Sequence, residues 1–164
     1  IAIANHVGPV YLRFGRPKVP NFTNPKTSFQ IGKAIQLTQG EDVSIFSTGH
    51  TVWEALEATK ELKEQGINCE LINIATIKPL DKQAILSSIQ KTKCAVTTEE
   101  HQILGGLGGS IAQLVSQKQP IPIEFVGVND KFGESGKPME LMNKYKINKD
   151  SIINAVQNVV KKKM

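Results

Sequence analysis

The sequence is poor in cysteine and in aromatic residues, with two cysteines, one tryptophan, two tyrosines and six phenylalanines in 164 residues. Cys69 and Cys94 stand in no CxxC or metal-ligand spacing, and each lies inside an apolar run that reads as a strand. That pattern speaks against a disulfide framework and for reduced core thiols, which favours the cytoplasm. No apolar run approaches the ~20 residues of a membrane span, and no signal-peptide pattern opens the chain, so a soluble protein with no membrane partner is expected. Few rings are present to stack on bases. Part of the formal charge of +5 is the terminal Lys161, Lys162 and Lys163, and the other lysines are interleaved with acids, so no nucleic-acid partner is expected. Also missing are a GxSxG elbow, a GK[ST] loop, metal-ligand spacing and a His/Cys pair with a clear nucleophile. No catalytic residue and no metal ligand is therefore nominated. Ile1 is not an initiator methionine, and IAIANHV reads as a processed start or as a segment of something longer.

What is present is a regular alternation. VYLRF (10–14) is a short strand candidate, and GRPKVPNFTNPKTS after it, with three prolines and two asparagines, reads as an extended linker. KAIQLTQGEDVSIFST gives two β-rich runs around QGED, a hairpin signal with Gly40 at the turn. TVWEALEATKELKEQG then carries Val52, Ala55, Leu56, Thr59 and Leu62 at helical spacing, with Gly66 where a C-cap belongs. The unit recurs as strand 68–74, helix 81–91, strand 94–99, helix 107–117 and strand 123–128. Two helices close the chain, PMELMNKY behind Pro138 and KDSIINAVQNVVKK at the end. The fold class that follows is α/β: a mostly parallel five-stranded sheet with one antiparallel edge strand and helices on both faces.

Strand C-termini of a parallel sheet share one edge, where open α/β folds bind ligands. Ser47 to His50, Thr76 to Lys78, Glu99 to His101 and Asn129 with Asp130 all follow predicted strands. His50 reads as a proton carrier with an unperturbed pKa of about 6.5, or as a polar residue satisfying helix-start amides. His101 reads as a ring oriented by Glu99 and Glu100, or as a loop histidine among solvated acids. Together His50, Glu99 and His101 form a candidate anion or regulatory edge. Gly105, Gly106, Gly108 and Gly109 precede a helix, whose N-terminal amides attract anions. Yet GGLGGS lacks the third glycine of GxGxxG, and tight backbone packing is the competing reading. Glu134 in FGESG is a base or a loop anchor. An autonomous nucleotide-binding module would use this edge, with Asp130 as its ribose contact.

In this order, TGHTVWEALEATKELKEQGI, LINIATIKPLD, TTEEHQILGGLGG and VNDKFGESGKPMELMNKY resemble the C-terminal domain of transketolase. The same stretches are similar to its thiamin-diphosphate relatives, 1-deoxyxylulose-5-phosphate synthase and the 2-oxoacid dehydrogenase β subunits. GPVYLRFGRP resembles the end of the preceding pyrimidine-binding domain, and FGESG followed by PMELMNKY favours transketolase, particularly the type divided into two polypeptides. The resemblance implies residues 1–16 as the tail of that preceding domain, 17–28 as a linker and 29–164 as the C-terminal domain. It implies an enzyme of the pentose phosphate pathway that moves a two-carbon ketol unit between sugar phosphates with thiamin diphosphate and Mg²⁺ or Ca²⁺. The chain contains no GDG diphosphate motif, and its remnant of the pyrimidine-binding domain is too short to hold the activating glutamate. It is therefore expected to bind no cofactor and to be inactive alone. Its partners would be the N-terminal cofactor-binding domains or subunit, in a homodimer to whose architecture this domain contributes. Arg16 falls where the family places an arginine on the substrate phosphate, whose oxygens a guanidinium fork matches. Arg13 is the less suited alternative.

Overall fold

The strands VSIFS, CELIN and AVTTEEHQ form the centre of the sheet. The computed structural model describes residues 2–15, 18–24 and 27–163. After a 3-10 turn at Ala2–Asn5 come β1 (Ile35–Gln36), β2 (Val43–Ser47), α1 (Thr51–Glu64), β3 (Cys69–Asn73) and α2 (Lys82–Thr92). Then follow β4 (Ala95–Gln102), α3 (Leu107–Lys118), β5 (Ile123–Val128), α4 (Pro138–Lys144) and α5 (Lys149–Lys161). The sheet order is β1-β3-β2-β4-β5. β1 runs antiparallel to β3 at the edge and every other pairing is parallel, as the alternation of elements predicts.

All five residues of β2 are buried, because its side chains alternate between two covered faces. Val43 and Ile45 pack with Ala55, Leu62, Ile152 and Val156 under α1 and α5. Phe46 packs with Ile85, Ile89, Leu107 and Ile111 under α2 and α3. Cys69 and Cys94 are free and buried in the first of these cores. Burial, with Asp42 and Cys94 nearby, pushes the Cys69 thiol up to about 12, and burial raises Cys94 as well, so neither is a reactive thiolate.

The helix ends carry the signals read from the sequence. Gly66 follows the C-terminus of α1 with φ +83°, and its amide donates to Lys63 O while Ile67 N donates to Leu62 O. Pro138 opens α4. Asp81 caps α2 with one oxygen, accepting from Ala84 N at 3.1 Å, and ties down the approach to β1 with the other, accepting from Ala34 N at 3.0 Å. Burial pushes its carboxyl pKa up, but the Ala34 and Ala84 amides and Lys33 outweigh it, and the net direction is down. Asp81→Ala is expected to cost about 1–2 kcal/mol in urea unfolding at neutral pH. Because the folded pKa is depressed, this contribution is present above the unfolded value of about 3.9 and is lost as pH falls through the folded value. A cost indistinguishable from zero at neutral pH would contradict the cap.

Two expectations are corrected. The QGED stretch is not a hairpin turn: β1 pairs with β3 rather than β2, so β3 lies between the two runs. Gly40 is needed for a close approach instead, since a Cβ there would stand 2.3 Å from Asn68 O and 2.4 Å from the Cys69 carbonyl carbon. Residues 10–14 form no strand, because no neighbouring strand among the described residues offers a ladder. Tyr11 and Phe14 are 88% and 83% exposed there, so this apolar pattern has no face to bury in this chain.

Candidate functional site

The chain moves from β2 to β3 on one side of the sheet, then crosses back over β2 to β4 on the other. α1 leaves β2 over one face and α3 leaves β4 over the opposite face, so the strand C-termini of β2 and β4 border a topological switch point. A nucleotide-binding sheet places its ligand at such a crevice. Here β4 continues to Gln102, so Glu99, Glu100 and His101 stand on the strand, not past its end as the sequence suggested. Alternation then sends Glu100 to the α1 face and Glu99 with His101 to the α3 face.

Glu99 is 1% exposed and occupies the N-terminus of α3. Its Oε2 accepts from Leu107 N and its Oε1 from Gly108 N, both at 2.8 Å, and Oε2 lies 3.7 Å from His101 Nδ1. Burial drives its pKa up, but His101 and the Gly108 and Leu107 amides outweigh burial and hold the carboxyl below its usual range. The α3 amides that would cradle a phosphate are thus filled by a carboxylate of the chain itself. The glycines follow from this: a Cβ on Gly106 would fall 2.1 Å from Glu99 Oε2, and one on Gly108 2.7 Å from the Phe125 ring and Thr97 Oγ1. His101 Nε2 is buried without a hydrogen-bond partner.

Glu100, on the other face, holds side chains rather than helix amides. Its Oε1 accepts from Arg13 Nη1 at 2.9 Å, and its Oε2 lies 3.1 Å from His50 Nδ1. A Cβ on Gly49, in the turn into α1, would be 3.7 Å from Glu100 Oε1. His50 is the N-cap residue of α1 but makes no side-chain cap. Beneath this pair, Ser47, Thr51 and Thr98 are buried and hydrogen-bond one another through their hydroxyls. The structure therefore joins His101 to Glu99, joins His50 to Glu100, and places the two pairs on opposite faces. Arg16 lies outside the described residues.

Glu134 is held by α4 and its C-cap, accepting from Lys144 Nζ at 2.7 Å and from Tyr145 OH at 2.9 Å. Lys144, then Tyr145, keep its carboxyl below the usual range, which fits a loop anchor. Asp130 has φ +46° and gives its amide to Gln102 Oε1 at 2.9 Å. A cavity of about 350 Å³ lies between α2 and the β1 edge, lined in part by Gln36, Glu70, Ser88 and Lys91. Gln36, Ser88 and Lys91 all donate to the Glu70 carboxylate, which closes the polar capacity of that wall.

Sequence reading missed the role of Glu100 and understated Arg13. The signal available was the strand period: had β4 been extended by three residues, consecutive glutamates would have been assigned to opposite faces.

Residues 32–152 match the family model described as "Transketolase, C-terminal domain". The chain is 40% identical over 161 residues to a 6-deoxy-6-sulfo-D-fructose transketolase subunit of Clostridium sp. (strain MSTE9), covering 98% of this chain and 50% of that one. It is 34% identical over 161 residues to an apulose-4-phosphate transketolase subunit of Phocaeicola vulgatus, covering 98% and 51%. Among solved structures it is similar to a split-gene transketolase described as an inactive β4 tetramer, with TM-score 0.85 and 38% identity over 89% of this chain and 48% of that one. The chain spans about half the length of each.

Proposed function

The chain belongs to the transketolase C-terminal domain family, and from that premise we propose that it is the C-terminal part of a transketolase divided into two polypeptides. The complete enzyme transfers a two-carbon ketol unit between sugars bearing an anionic group, using thiamin diphosphate with Mg²⁺ or Ca²⁺, in the cytoplasm. The observation that carries this reading is the extent of the likeness: it runs over 98% of the chain, through the exposed tail as well as the folded domain, and over half of a transketolase subunit. Residues 1–16 are then the end of a pyrimidine-binding domain, 17–28 the linker and 29–164 the C-terminal domain. The exposed Tyr11 and Phe14 support it, since both are apolar side chains waiting for a neighbouring sheet.

The names of the two relatives give different sugars, one with a sulfo group and one with a phosphate. Arg16 is the residue we assign to such an anion, through its planar fork of donors. The donor set of this chain does not fit the cofactor. Among the described residues no cluster of three His, Cys, Asp or Glu could hold the metal ion. Glu99 occupies the α3 N-terminus and Glu100 stands beside the turn into α1, the two positions at the switch point that would otherwise suit a diphosphate. The cofactor belongs to the N-terminal partner subunit and the preceding domain, and His50, Glu99 and His101 serve the architecture of this domain. The tetramer of four β chains, inactive in the relative, supports a C-terminal subunit that self-associates and needs its partner for activity; the complete enzyme is a homodimer of such pairs.

The test is reconstitution. The full-length polypeptide containing this chain, mixed with the subunit carrying the GDG motif, thiamin diphosphate and Mg²⁺, is expected to transfer ketol units between sugar phosphates, whereas either polypeptide alone is inactive. Ketol transfer by this polypeptide alone, or saturable nucleotide binding to it, would overturn the reading.

A further inference from the structure

We infer that a two-point clasp along α1, Glu100 with His50 at one end and Trp53 with Lys60 on its exposed side, fixes the path of the chain entering the domain. At the first point Glu100 holds Arg13 with one oxygen and His50 with the other. Between these partners the backbone lies directly on the imidazole, since a Cβ on Gly15 would fall 2.0 Å from His50 Cε1 and 2.3 Å from its Nε2. Only a glycine lets the chain lie that close. At the second point the Phe22 ring sits 6.3 Å from the Trp53 ring, tilted by 31°, and Lys60 Nζ stands 5.6 Å from the Trp53 centroid on the same helix. Asn21 Oδ1 accepts from Thr23 N and Oγ1, which turns the chain into the second point.

The composition of the linker suggests an extended connection, and these contacts tie the entering chain to the domain at two points. The entering chain is held at Arg13 and Gly15 and again at Phe22, and α1 is packed on the central sheet through Val52, Ala55 and Leu62. The chain at Arg13, Gly15 and Phe22 therefore moves with this domain as one body. Glu100, His50 and Trp53 are positioning residues: none needs to touch a ligand, and together they set the direction in which the chain leaves. That they orient a preceding domain rests on the proposed assignment of residues 1–16, whereas the clasp itself does not.

The clasp is tested in the full-length protein by the rate of tryptic cleavage after Lys18, which lies between the two points and reports the population of the released segment. Glu100→Gln is expected to speed that cleavage about threefold, the worth of a partly exposed ion pair. Gly15→Ala is expected to speed it about tenfold, because the added methyl cannot coexist with the His50 ring. Combining Arg13→Gln with Glu100→Gln gives no more than the faster single variant, as for two halves of one interaction. The midpoint of thermal unfolding of the domain stays unchanged, which separates release of the segment from global unfolding. Cleavage at the wild-type rate in both Glu100→Gln and Gly15→Ala would overturn the clasp. A natural polypeptide in which residues 1–16 close no folded domain would leave those rates standing and remove only the interdomain consequence.

Discussion

Replacing Glu99 with Ala lowers the unfolding free energy by about 3 kcal/mol at neutral pH, the largest expected effect of any single polar truncation at the strand edge. Two charge-assisted hydrogen bonds are lost, and the Leu107 and Gly108 amides are left buried without acceptors. Their donors cannot turn to solvent, because Leu107 and Gly108 are buried in the first turn of α3. Glu99→Gln keeps the shape and one acceptor, so about half that loss is expected. The pH dependence fixes the cause. The folded pKa of Glu99 is depressed, so its contribution is fully present above the unfolded carboxyl value of about 4.3 and disappears as pH falls through the folded value. Urea unfolding of the wild type and of Glu99→Gln at pH 7 and again near pH 3 should show a gap that narrows on acidification. A gap of the same size at both would mean that the carboxylate charge is not what α3 requires.

Much of the sheet was legible because its signals are local. Strands buried on both faces read as continuous apolar runs, and helices such as α1 declare themselves by spacing and by Gly66 at the end. β1 was not legible in the same way. QGED between two β-rich runs has the composition of a tight turn, and it is the pairing of β1 with β3, with Gly40 packed against the Asn68 and Cys69 backbone, that reveals the chain passing by β3 instead. The site was half legible. TTEEHQ announced charge at a strand end, but the extra three residues of β4 decide which carboxylate faces which helix, and strand ends are set by pairing partners rather than by composition. Glu100 gains its role from Arg13, 87 residues away in sequence, and no local pattern encodes that contact. An open α/β sheet usually leaves its switch point free for a ligand, whereas this one sets two consecutive carboxylates there, Glu99 on the α3 amides and Glu100 on Arg13 and His50.

Alanine substitution through GGLGG separates packing from phosphate binding, because the two readings rank the glycines differently. Gly106→Ala is expected to cost about 3 kcal/mol or more, since its Cβ would meet Glu99 Oε2 at 2.1 Å and the Gln102 carbonyl oxygen at 2.5 Å, and a backbone oxygen cannot step aside. It also displaces the carboxylate that satisfies α3. Gly108→Ala is expected to cost about 1–3 kcal/mol, because its obstacles at 2.7 Å are side chains, the edge of Phe125 and the Thr97 hydroxyl. Gly105 has open space within 4 Å but sits at φ +83°, so only about 1 kcal/mol of backbone strain is expected there. Gly109 is helical with its nearest neighbour at 3.7 Å, so Gly109→Ala is expected to be neutral or to stabilise by a few tenths of a kcal/mol. Denaturant unfolding of the four variants measures the order. A phosphate cradle would instead demand bare backbone wherever the loop faces solvent, making Gly105 and Gly109 the sensitive positions in a ligand-binding assay while leaving stability alone. Finding Gly106→Ala as stable as the wild type would refute the packing account, because room for that methyl group requires both moving Glu99 off the helix and displacing the Gln102 backbone.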